Sequence, residues 1–181
     1  MPPPTPGPVV EILALTPDAL DALARGDLPG ARRAAGLPLP DVFVAEGWIG
    51  PWRRRSAQVR DDPDSAGWIT GAVRDQTTGA VVGRAGYHGP PDPAGMVEVG
   101  YAVLPELRRR GYARAALELL LARAAAEPAV RVVRATIRPD NLASSALVEQ
   151  YGFAAVGEQI DPEDGREIIY ELIVSANTGP L

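Results

Sequence analysis

The spacing of apolar residues changes along the chain, and the change predicts two kinds of secondary structure. Up to about residue 60, apolar positions recur mainly at helical intervals after one short strand-like run. From about residue 68, short runs rich in valine, isoleucine and aromatic residues alternate with turn sequences. One long stretch, Arg110–Glu127, returns to helical spacing through Leu117, Leu120 and Ala124. The pattern therefore predicts a mixed α/β fold.

Capping and turn residues give this pattern approximate boundaries. Thr16 caps a helix that has Pro17 at its first position, and Gln76–Gly79 marks a hairpin turn. The predicted strands are Val9–Leu15, Trp68–Asp75, Ala80–His88, Met96–Leu104, Val130–Ile137, Phe153–Glu158 and Glu167–Val174. The predicted helices are 17–25, Ala31–Ala35, Val42–Ala57 with an interruption at Gly50–Pro51, Arg110–Glu127 and Ala143–Tyr151, and 60–67 is an acidic loop. This order favours a single mixed, mostly antiparallel sheet flanked by helices, in the α/β (α+β) class.

The length of 181 residues fits one domain, which we predict over 9–174. Residues 1–8 hold five prolines and are expected to form a disordered leader, and 175–181 a frayed tail. The leader lacks the basic start and apolar stretch of a secretory signal. No run reaches the roughly 18–20 uncharged apolar residues of a membrane helix. We therefore expect a cytoplasmic protein with no membrane partner.

Composition excludes several kinds of chemistry. The chain has no cysteine and a single histidine, His88, so disulfides, thiolate zinc sites, cysteine nucleophiles and multi-histidine metal sites are excluded, and no metal is expected. All 18 basic residues are arginines, which excludes a Schiff-base lysine and the lysine of a phosphate-binding P-loop. The formal net charge of −5 disfavours general nucleic-acid binding.

The strongest candidate site lies where the predicted strand Met96–Leu104 leads into the long helix. Four arginines stand within seven residues there, with the small residues Gly111 and Ala113 among them; they are Arg108, Arg109, Arg110 and Arg114. A helix start carries unpaired N–H groups and partial positive charge, so arginines are unfavourable there unless an anion binds. The sequence therefore predicts a pyrophosphate site. An exposed basic first turn without a ligand is the alternative.

Two motifs in this region resemble a known family. Arg108-x-x-Gly111-x-Ala113 resembles the Gln/Arg-x-x-Gly-x-Gly/Ala signature of the GNAT superfamily of N-acetyltransferases, and 97–113 is similar to its fourth strand and third helix. The second signature of the family is matched by Asn141-x-x-Ser144 followed by Gly152-Phe153. The resemblance covers about 66–174. The front part looks like the branch similar to ribosomal-protein N-terminal acetyltransferases.

The resemblance implies acetyl-CoA as a co-substrate and assigns residues to it. The strands 96–104 and 130–137 would splay to form a cleft for the pantetheine arm, which would pair with the backbone of Ala102 and Val103. An N–H near Val103 would polarise the thioester carbonyl. Asn141 would contact the pantetheine arm as well as cap its helix. The residues implied around the diphosphate are Arg108, Arg109, Arg110, Gly111, Tyr112, Ala113 and Arg114.

Glu98 is the candidate general base. On an alternating strand it shares a face with Gly100 and Ala102, whose small size leaves space beside the carboxylate. An alkylamine is mostly protonated at neutral pH, so acetyl transfer needs a group that collects the proton. The resemblance implies the same role. The alternative is a solvent-facing glutamate on the sheet surface.

The general acid that would protonate the leaving thiolate stays open. Many members of the family carry a tyrosine seven residues after the motif asparagine, and this chain has Val148 there. Tyr151 stands three residues further, and Ser144 is a candidate for hydrogen bonding the coenzyme sulfur. A third alternative is that no acid is needed, because a thiolate leaves without assistance.

Two other features have competing interpretations. His88 either faces the acceptor cleft or belongs to a solvated loop, and the loop is favoured. Arg53–Arg55 beside Trp48 and Trp52 is interpreted as the polar face of an amphipathic helix whose tryptophans are buried, with nucleic-acid stacking as the alternative.

The sequence thus predicts an N-acetyltransferase that moves an acetyl group from acetyl-CoA to a primary amine by direct transfer in a ternary complex. The acceptor is a small-molecule or peptide amine and is not identified further. Its pocket is expected to be shaped by residues 16–60 and 158–166. Nucleic acid is not an expected partner, and a homodimer is among the expectations because dimers are frequent in the family. The alternative is a non-catalytic acyl-CoA-binding sensor or scaffold with the same fold.

Overall fold

The structure, a computed structural model, describes residues 7–174. Of the predicted leader 1–8, only Gly7 and Pro8 are described, and they have no regular structure. The predicted tail 175–181 lies outside the described residues.

Strands and helices follow one another in nearly the predicted order. The strands are β1 (Val10–Leu13), β2 (Gly71–Asp75), β3 (Val81–Tyr87), β4 (Met96–Val103), β5 (Val132–Ile137), β6 (Ala154–Asp161) and β7 (Gly165–Ile173). The α-helices are α1 (Pro17–Ala24), α2 (Leu28–Ala35), α3 (Ile49–Asp61), α4 (Tyr112–Ala126) and α5 (Leu142–Gln150), and 3₁₀ turns cover Asp41–Val44, Pro63–Trp68 and Pro105–Leu107.

The sheet order is β1-β2-β3-β4-β5-β7-β6. The strands β4 and β5 are parallel, whereas the pairs β1–β2, β2–β3, β5–β7 and β6–β7 are antiparallel. The predicted mixed and mostly antiparallel class is therefore confirmed.

The chain divides into two compact units, and β3, β4 and α4 each continue from one unit into the other. The first unit comprises the chain up to Gly86 together with Tyr101–Leu119. The second comprises Tyr87–Gly100 and the chain from Leu120 onward. The single domain expected over 9–174 stays a prediction.

The first helix of the first unit, α1, starts where the sequence predicts. Thr16 is the N-cap of α1, and its hydroxyl accepts a hydrogen bond from the N–H of Ala19 at 3.2 Å, as predicted. Aromatic side chains form part of the core behind this helix. The Phe43 and Trp52 rings lie 5.1 Å apart, and both residues are fully buried.

The predicted helix Val42–Ala57 is wrong in its boundaries. A 3₁₀ turn occupies Asp41–Val44, and α3 begins only at Ile49. The break falls before Gly50–Pro51 because Pro51 lies in the first turn, where its missing N–H removes no helical hydrogen bond. The predicted loop 60–67 is also wrong, since it contains the end of α3 and most of the turn Pro63–Trp68.

The arginines of α3 do not form one polar face. Trp52 is buried, as predicted, but Arg55 is only 8% exposed. Nε of Arg53 donates a hydrogen bond to the carbonyl oxygen of Ala24 at 3.3 Å. The predicted grouping of Arg53–Arg55 on the polar face is therefore wrong for Arg55, which the helical rotation places toward the core.

The second unit builds its core from alternating strand residues and α5. Val97 and Val99 of β4 are buried, as is Val133 of β5. Gly152 has a φ of 85° just beyond the end of α5, and Phe153 follows it into the core at 4% exposure. The structural roles predicted for these two residues are confirmed.

Residues 7–174 contain no membrane-spanning helix and no cluster of metal-ligating side chains. No helix in this range is long and apolar enough to cross a bilayer. No group of three or more histidine, aspartate or glutamate side chains in the same range is placed to hold a metal ion.

Candidate functional site

The turn that precedes α4 has an unusual backbone. Arg109 has a φ of 61° and Gly111 a φ of 88°, so two residues out of three adopt left-handed conformations. Such conformations at a non-glycine residue carry strain and cluster at functional sites. Successive N–H groups in turns of this kind form concavities that bind anions.

The same turn supplies the start of α4. The N–H of Ala115 donates to the carbonyl oxygen of Gly111 at 3.0 Å, which places Gly111 at the beginning of the first helical turn. The N–H groups of Gly111, Tyr112 and Ala113 therefore have no acceptor within the helix. Arg108–Arg110 are exposed beside them, and the Arg110 guanidinium donates to the carbonyl oxygen of Glu106 at 3.2 Å. The turn thus offers an exposed, positively charged ring of donors.

The end of β4 directs one backbone N–H away from β3. The N–H of Leu104 donates to the carbonyl oxygen of Val82 at 2.9 Å. Because successive residues of a strand point their N–H groups to opposite sides, the N–H of Val103 points away from β3. A Cβ at Gly83 would lie only 2.2 Å from the carbonyl oxygen of Ala102, so a glycine is required for this close approach.

Tyr112, the first residue of α4, is anchored to the β2–β3 hairpin. Its hydroxyl donates to Oδ2 of Asp75 at 2.6 Å. The other carboxylate oxygen of Asp75 accepts from the N–H groups of Thr77 and Thr78 at 2.7 and 3.1 Å. The hydroxyl of Tyr112 and these two N–H groups together hold the pKa of Asp75 below its ordinary value of 3.8, and Asp75 in turn raises the pKa of Tyr112.

Removing this anchor is expected to destabilise the fold in a pH-dependent way. Tyr112→Phe should lower the free energy of unfolding by about 1–2 kcal/mol at pH 7, because it deletes a hydrogen bond to a buried carboxylate. The folded-state pKa of Asp75 lies below 3.8, so its stabilisation is complete above that pH and is lost as the pH falls through the folded-state value. Urea unfolding of both proteins at pH 7 and near pH 3 measures this. If the difference in unfolding free energy between the two proteins grew on acidification, the assignment of this stabilisation to ionised Asp75 would be contradicted.

In the second unit, β4 and β5 are paired over only part of their length. The parallel ladder joins Met96–Glu98 to Val132–Arg134, whereas β4 continues to Val103 and β5 to Ile137. The ladder between the two strands thus ends at Glu98 on β4 and Arg134 on β5. The cleft implied between the strands beyond this point stays a prediction.

Glu98 lies at the last pair of this ladder and is held by two side chains. Its Oε1 accepts a hydrogen bond from the Thr136 hydroxyl at 2.7 Å. Nδ1 of His88 lies 3.3 Å from the same oxygen. The Glu98 side chain is 22% exposed, so most of its surface is covered by the protein.

The surroundings of Glu98 favour its ionised form. Burial alone would raise the pKa of its carboxyl, but the contact with the His88 imidazole, the hydrogen bond from the Thr136 hydroxyl and the charge of Arg134 outweigh burial and lower it. Arg134 is itself paired with Glu171 across β5 and β7 at 2.6 Å. Glu98 is therefore a carboxylate at neutral pH, half-buried and able to accept a proton.

The second motif lies at the start of α5. Asn141 is the N-cap, and its Oδ1 accepts from the N–H of Ser144 at 3.2 Å. Ser144, Val148 and Tyr151 follow at spacings of four and three, so they share one side of the helix. Val148 is fully buried, which places that side toward the protein.

The cap and the implied ligand contact of Asn141 are separable by mutation. Asn141→Ala should cost about 1 kcal/mol of stability through loss of the cap. Asn141→Asp retains an acceptor for the Ser144 N–H but has no amide to donate, so stability should stay close to that of the wild type. Acetyl-CoA affinity should fall about tenfold in both variants if the amide contacts the coenzyme. Unfolding curves and calorimetry measure the two effects, and unchanged affinity of Asn141→Asp would leave the cap as the only role.

The predicted site residues fall into two groups that the fold holds separately. Ala102, Val103 and 108–114 belong to the first unit, and Glu98, Asn141, Ser144 and Tyr151 to the second. Sequence reasoning missed two contacts, Asp75 with Tyr112 and His88 with Glu98. The second was accessible in principle, because the turn at 90–95 predicts a hairpin that sets His88 opposite Glu98.

The profile of the acetyltransferase (GNAT) domain matches residues 12–154. An uncharacterised N-acetyltransferase of Bacillus subtilis, YjdG, is 37% identical over 73 residues, which is 40% of this chain and 44% of that protein. The matched segment thus spans less than half of that relative.

Solved structures share the fold. RimL, a ribosomal L7/L12 alpha-N-protein acetyltransferase in complex with coenzyme A, superposes with a TM-score of 0.65 at 17% identity over 93% of this chain and 96% of RimL. MccE, a microcin C7 self-immunity acetyltransferase in complex with acetyl-CoA and AMP, has a TM-score of 0.63 at 14% identity over 92% and 93% of the two chains. The chain belongs to the GNAT acetyltransferase family.

Proposed function

We propose that the protein transfers an acetyl group from acetyl-CoA to a primary amine, directly and within a ternary complex. The observation that carries the proposal is the turn before α4. Left-handed Arg109 and Gly111 and the exposed arginines form an anion site there, inside the segment that matches the acetyltransferase domain. The absence of cysteine from the chain favours direct transfer over a cysteine acyl-enzyme.

The coenzyme side of the proposal uses mostly backbone groups. The N–H groups of Gly111, Tyr112 and Ala113 bind the diphosphate, and Arg108–Arg110 and Arg114 neutralise its charge. The pantetheine arm pairs with β4 at Ala102 and Val103, beyond the last residue that the ladder joins to β5. The outward N–H of Val103 then stabilises the oxyanion that forms on the thioester carbonyl. Asn141 donates to the arm.

The acceptor side of the proposal depends on Glu98. A primary amine is mostly protonated at pH 7 and is not a nucleophile in that form. Removal of this proton depends on the carboxylate of Glu98, which its surroundings keep ionised at neutral pH. The neutral nitrogen attacks the thioester carbonyl, the C–N bond forms, and the C–S bond breaks with its electron pair on sulfur.

Protonation of the leaving sulfur has two candidate residues. Ser144 lies on α5 and Tyr151 directly after its end, with the buried Val148 between them, and the proposal keeps both hydroxyls as candidates. Ser144→Ala and Tyr151→Phe distinguish them by comparing acetyl-CoA with a thioester of a more acidic thiol. If the substituted residue is the general acid, its variant loses activity with acetyl-CoA. It recovers activity with the thioester of the more acidic thiol, because that thiolate leaves without being protonated.

The acceptor is proposed as an amine of a small molecule or a peptide. Among the proteins that share the fold, RimL is an alpha-N-protein acetyltransferase of ribosomal L7/L12, and MccE acts in self-immunity to microcin C7. A protein N-terminus is therefore the first acceptor to test for this chain, followed by small amines.

Calorimetric titration with acetyl-CoA, followed by thiol-release assays over a panel of peptide, polyamine and amino-acid acceptors, tests the proposal. Saturable binding with turnover and a mass increase of one acetyl group on an amine is the expected result. The buried Val148 at the usual tyrosine position favours a second candidate, a non-catalytic acyl-CoA sensor. Binding without turnover on any amine would support that sensor and refute the enzyme.

A further inference from the structure

The imidazole of His88 is fixed beside Glu98 by both backbone and side chain. The N–H of His88 donates to the carbonyl oxygen of Glu98 at 2.8 Å, so the two residues are neighbours across the β3–β4 hairpin. Nδ1 of His88 lies 3.3 Å from Oε1 of Glu98. The ring therefore presents Nδ1 to the carboxylate and Nε2 in another direction.

Gly100 indicates where Nε2 lies. A Cβ added at Gly100 would stand 2.8 Å from Nε2 of His88, so the ring rests over a strand position that has no side chain. Gly100 follows the last pair of the ladder between β4 and β5, and the same strand continues to Ala102. Nε2 of His88 is thus placed beside Gly100, two residues before the part of β4 that the proposed function assigns to the pantetheine arm.

The two side chains differ in exposure in a way that assigns their roles. The His88 side chain is 41% exposed, and that of Glu98 is 22% exposed. Oε1 of Glu98 also accepts the Thr136 hydroxyl at 2.7 Å, which fixes the carboxylate from β5. The carboxylate is the less exposed partner of the pair, and the imidazole is the more exposed one.

We propose that His88 takes the proton from the acceptor amine through Nε2, with the Glu98 carboxylate as the group that holds the ring in place. This inference rests on the proposed acetyl transfer and names a further catalytic residue for it. A carboxylate that orients an imidazole base is a recurrent arrangement in enzymes with nucleophilic chemistry. The Glu98 carboxylate faces the ring, and the charge of Arg134 on β5, which is paired with Glu171 on β7, acts on that carboxylate.

The proton and electron balance closes without another reactant. The ammonium R–NH₃⁺ gives one proton to Nε2 of neutral His88 and becomes a nucleophile. Its nitrogen bonds to the thioester carbon, the C–S bond breaks with the electron pair on sulfur, and a second nitrogen proton passes to the thiolate. His88 returns its proton to water, so each turnover yields an amide, a thiol and one released proton.

Steady-state kinetics of His88→Gln tests the role. We expect kcat to fall about 100-fold with the amine accepted by the wild type, because a base is lost while the Glu98 carboxylate remains. The Kd for acetyl-CoA, measured by calorimetry, should stay unchanged. Added imidazole should restore turnover to His88→Ala but not to Glu98→Gln, since a merely structural ring would not be replaced by a free base.

The tautomer of the ring gives a second, activity-independent readout. His88 is the single histidine of the chain, so its ¹⁵N resonances are unambiguous. We expect neutral His88 to carry its proton on Nδ1 in the wild type and to lose that preference in Glu98→Gln.

The outcomes separate this inference from the function beneath it. Turnover by His88→Gln within threefold of an active wild type, or an Nε2–H tautomer in the wild type, would overturn the role of His88 and leave the transferase standing. A wild type that binds acetyl-CoA but acetylates no amine would overturn both.

Discussion

Replacing Gly111 with aspartate is expected to weaken acetyl-CoA binding about 1000-fold. The residue has a φ of 88°, so any side chain there is strained. A Cβ would also lie 3.1 Å from Cδ of Pro8, which leaves little room to relax. The new carboxylate would stand beside the diphosphate, and like charges placed together cost several kcal/mol. About 4 kcal/mol corresponds to 1000-fold in Kd.

Calorimetry with acetyl-CoA measures this effect, and Gly26→Asp is its matched control. Gly26 has a φ of 77° and nothing within 4 Å of an added Cβ, so it carries the same backbone strain and the same charge away from the proposed coenzyme site. Its affinity should equal that of the wild type. Undiminished binding by Gly111→Asp would place the coenzyme elsewhere on the protein.

The second large effect is expected at Glu98. Glu98→Gln should lower kcat roughly 1000-fold while leaving the Kd for acetyl-CoA unchanged, because the carboxylate acts on the proton and not on the coenzyme. The fall in kcat is expected to exceed that of His88→Gln. The amide introduced by the substitution has no negative charge, and its N–H₂ would donate to Nδ1 and so leave the imidazole proton on Nε2. Wild-type kcat should be independent of Glu98 ionisation at neutral pH, because its pKa is lowered from 4.5.

Glu11→Gln controls for the loss of a half-buried strand carboxylate. Glu11 on β1 forms an ion pair with Arg74 at 2.6 Å, and its side chain is 31% exposed, close to the 22% of Glu98. Its kcat should match the wild type. If Glu98→Gln turned over as fast as Glu11→Gln, the carboxylate would have no part in proton removal.

Local signals predicted the elements that surround the site. The helical spacing of Leu117, Leu120 and Ala124 located α4, and these three residues are buried as the pattern requires. Asn141 was recognised as a cap because capping involves only its own neighbours. The alternation of Val97 and Val99 likewise set the inward face of β4.

Contacts between distant residues were less accessible. Tyr112 and Asp75 are 37 residues apart, and Thr136 and Glu98 are 38 apart. Their meeting depends on strand order and register, which periodicity within one segment does not determine. The break before α3 was misplaced for a different reason, since proline disrupts a helix interior but not its first turn.

The short ladder between β4 and β5 has a consequence for how this sequence tolerates mutation. A ligand that pairs with β4 beyond Glu98, as proposed above, would contact only peptide groups, and every residue except proline carries the same ones. Positions such as Val103 should then tolerate any side chain of suitable size except proline. Gly83 should stay a glycine, because it lies close to the carbonyl oxygen of Ala102. Purifying selection on this stretch should therefore act on backbone shape more than on residue identity.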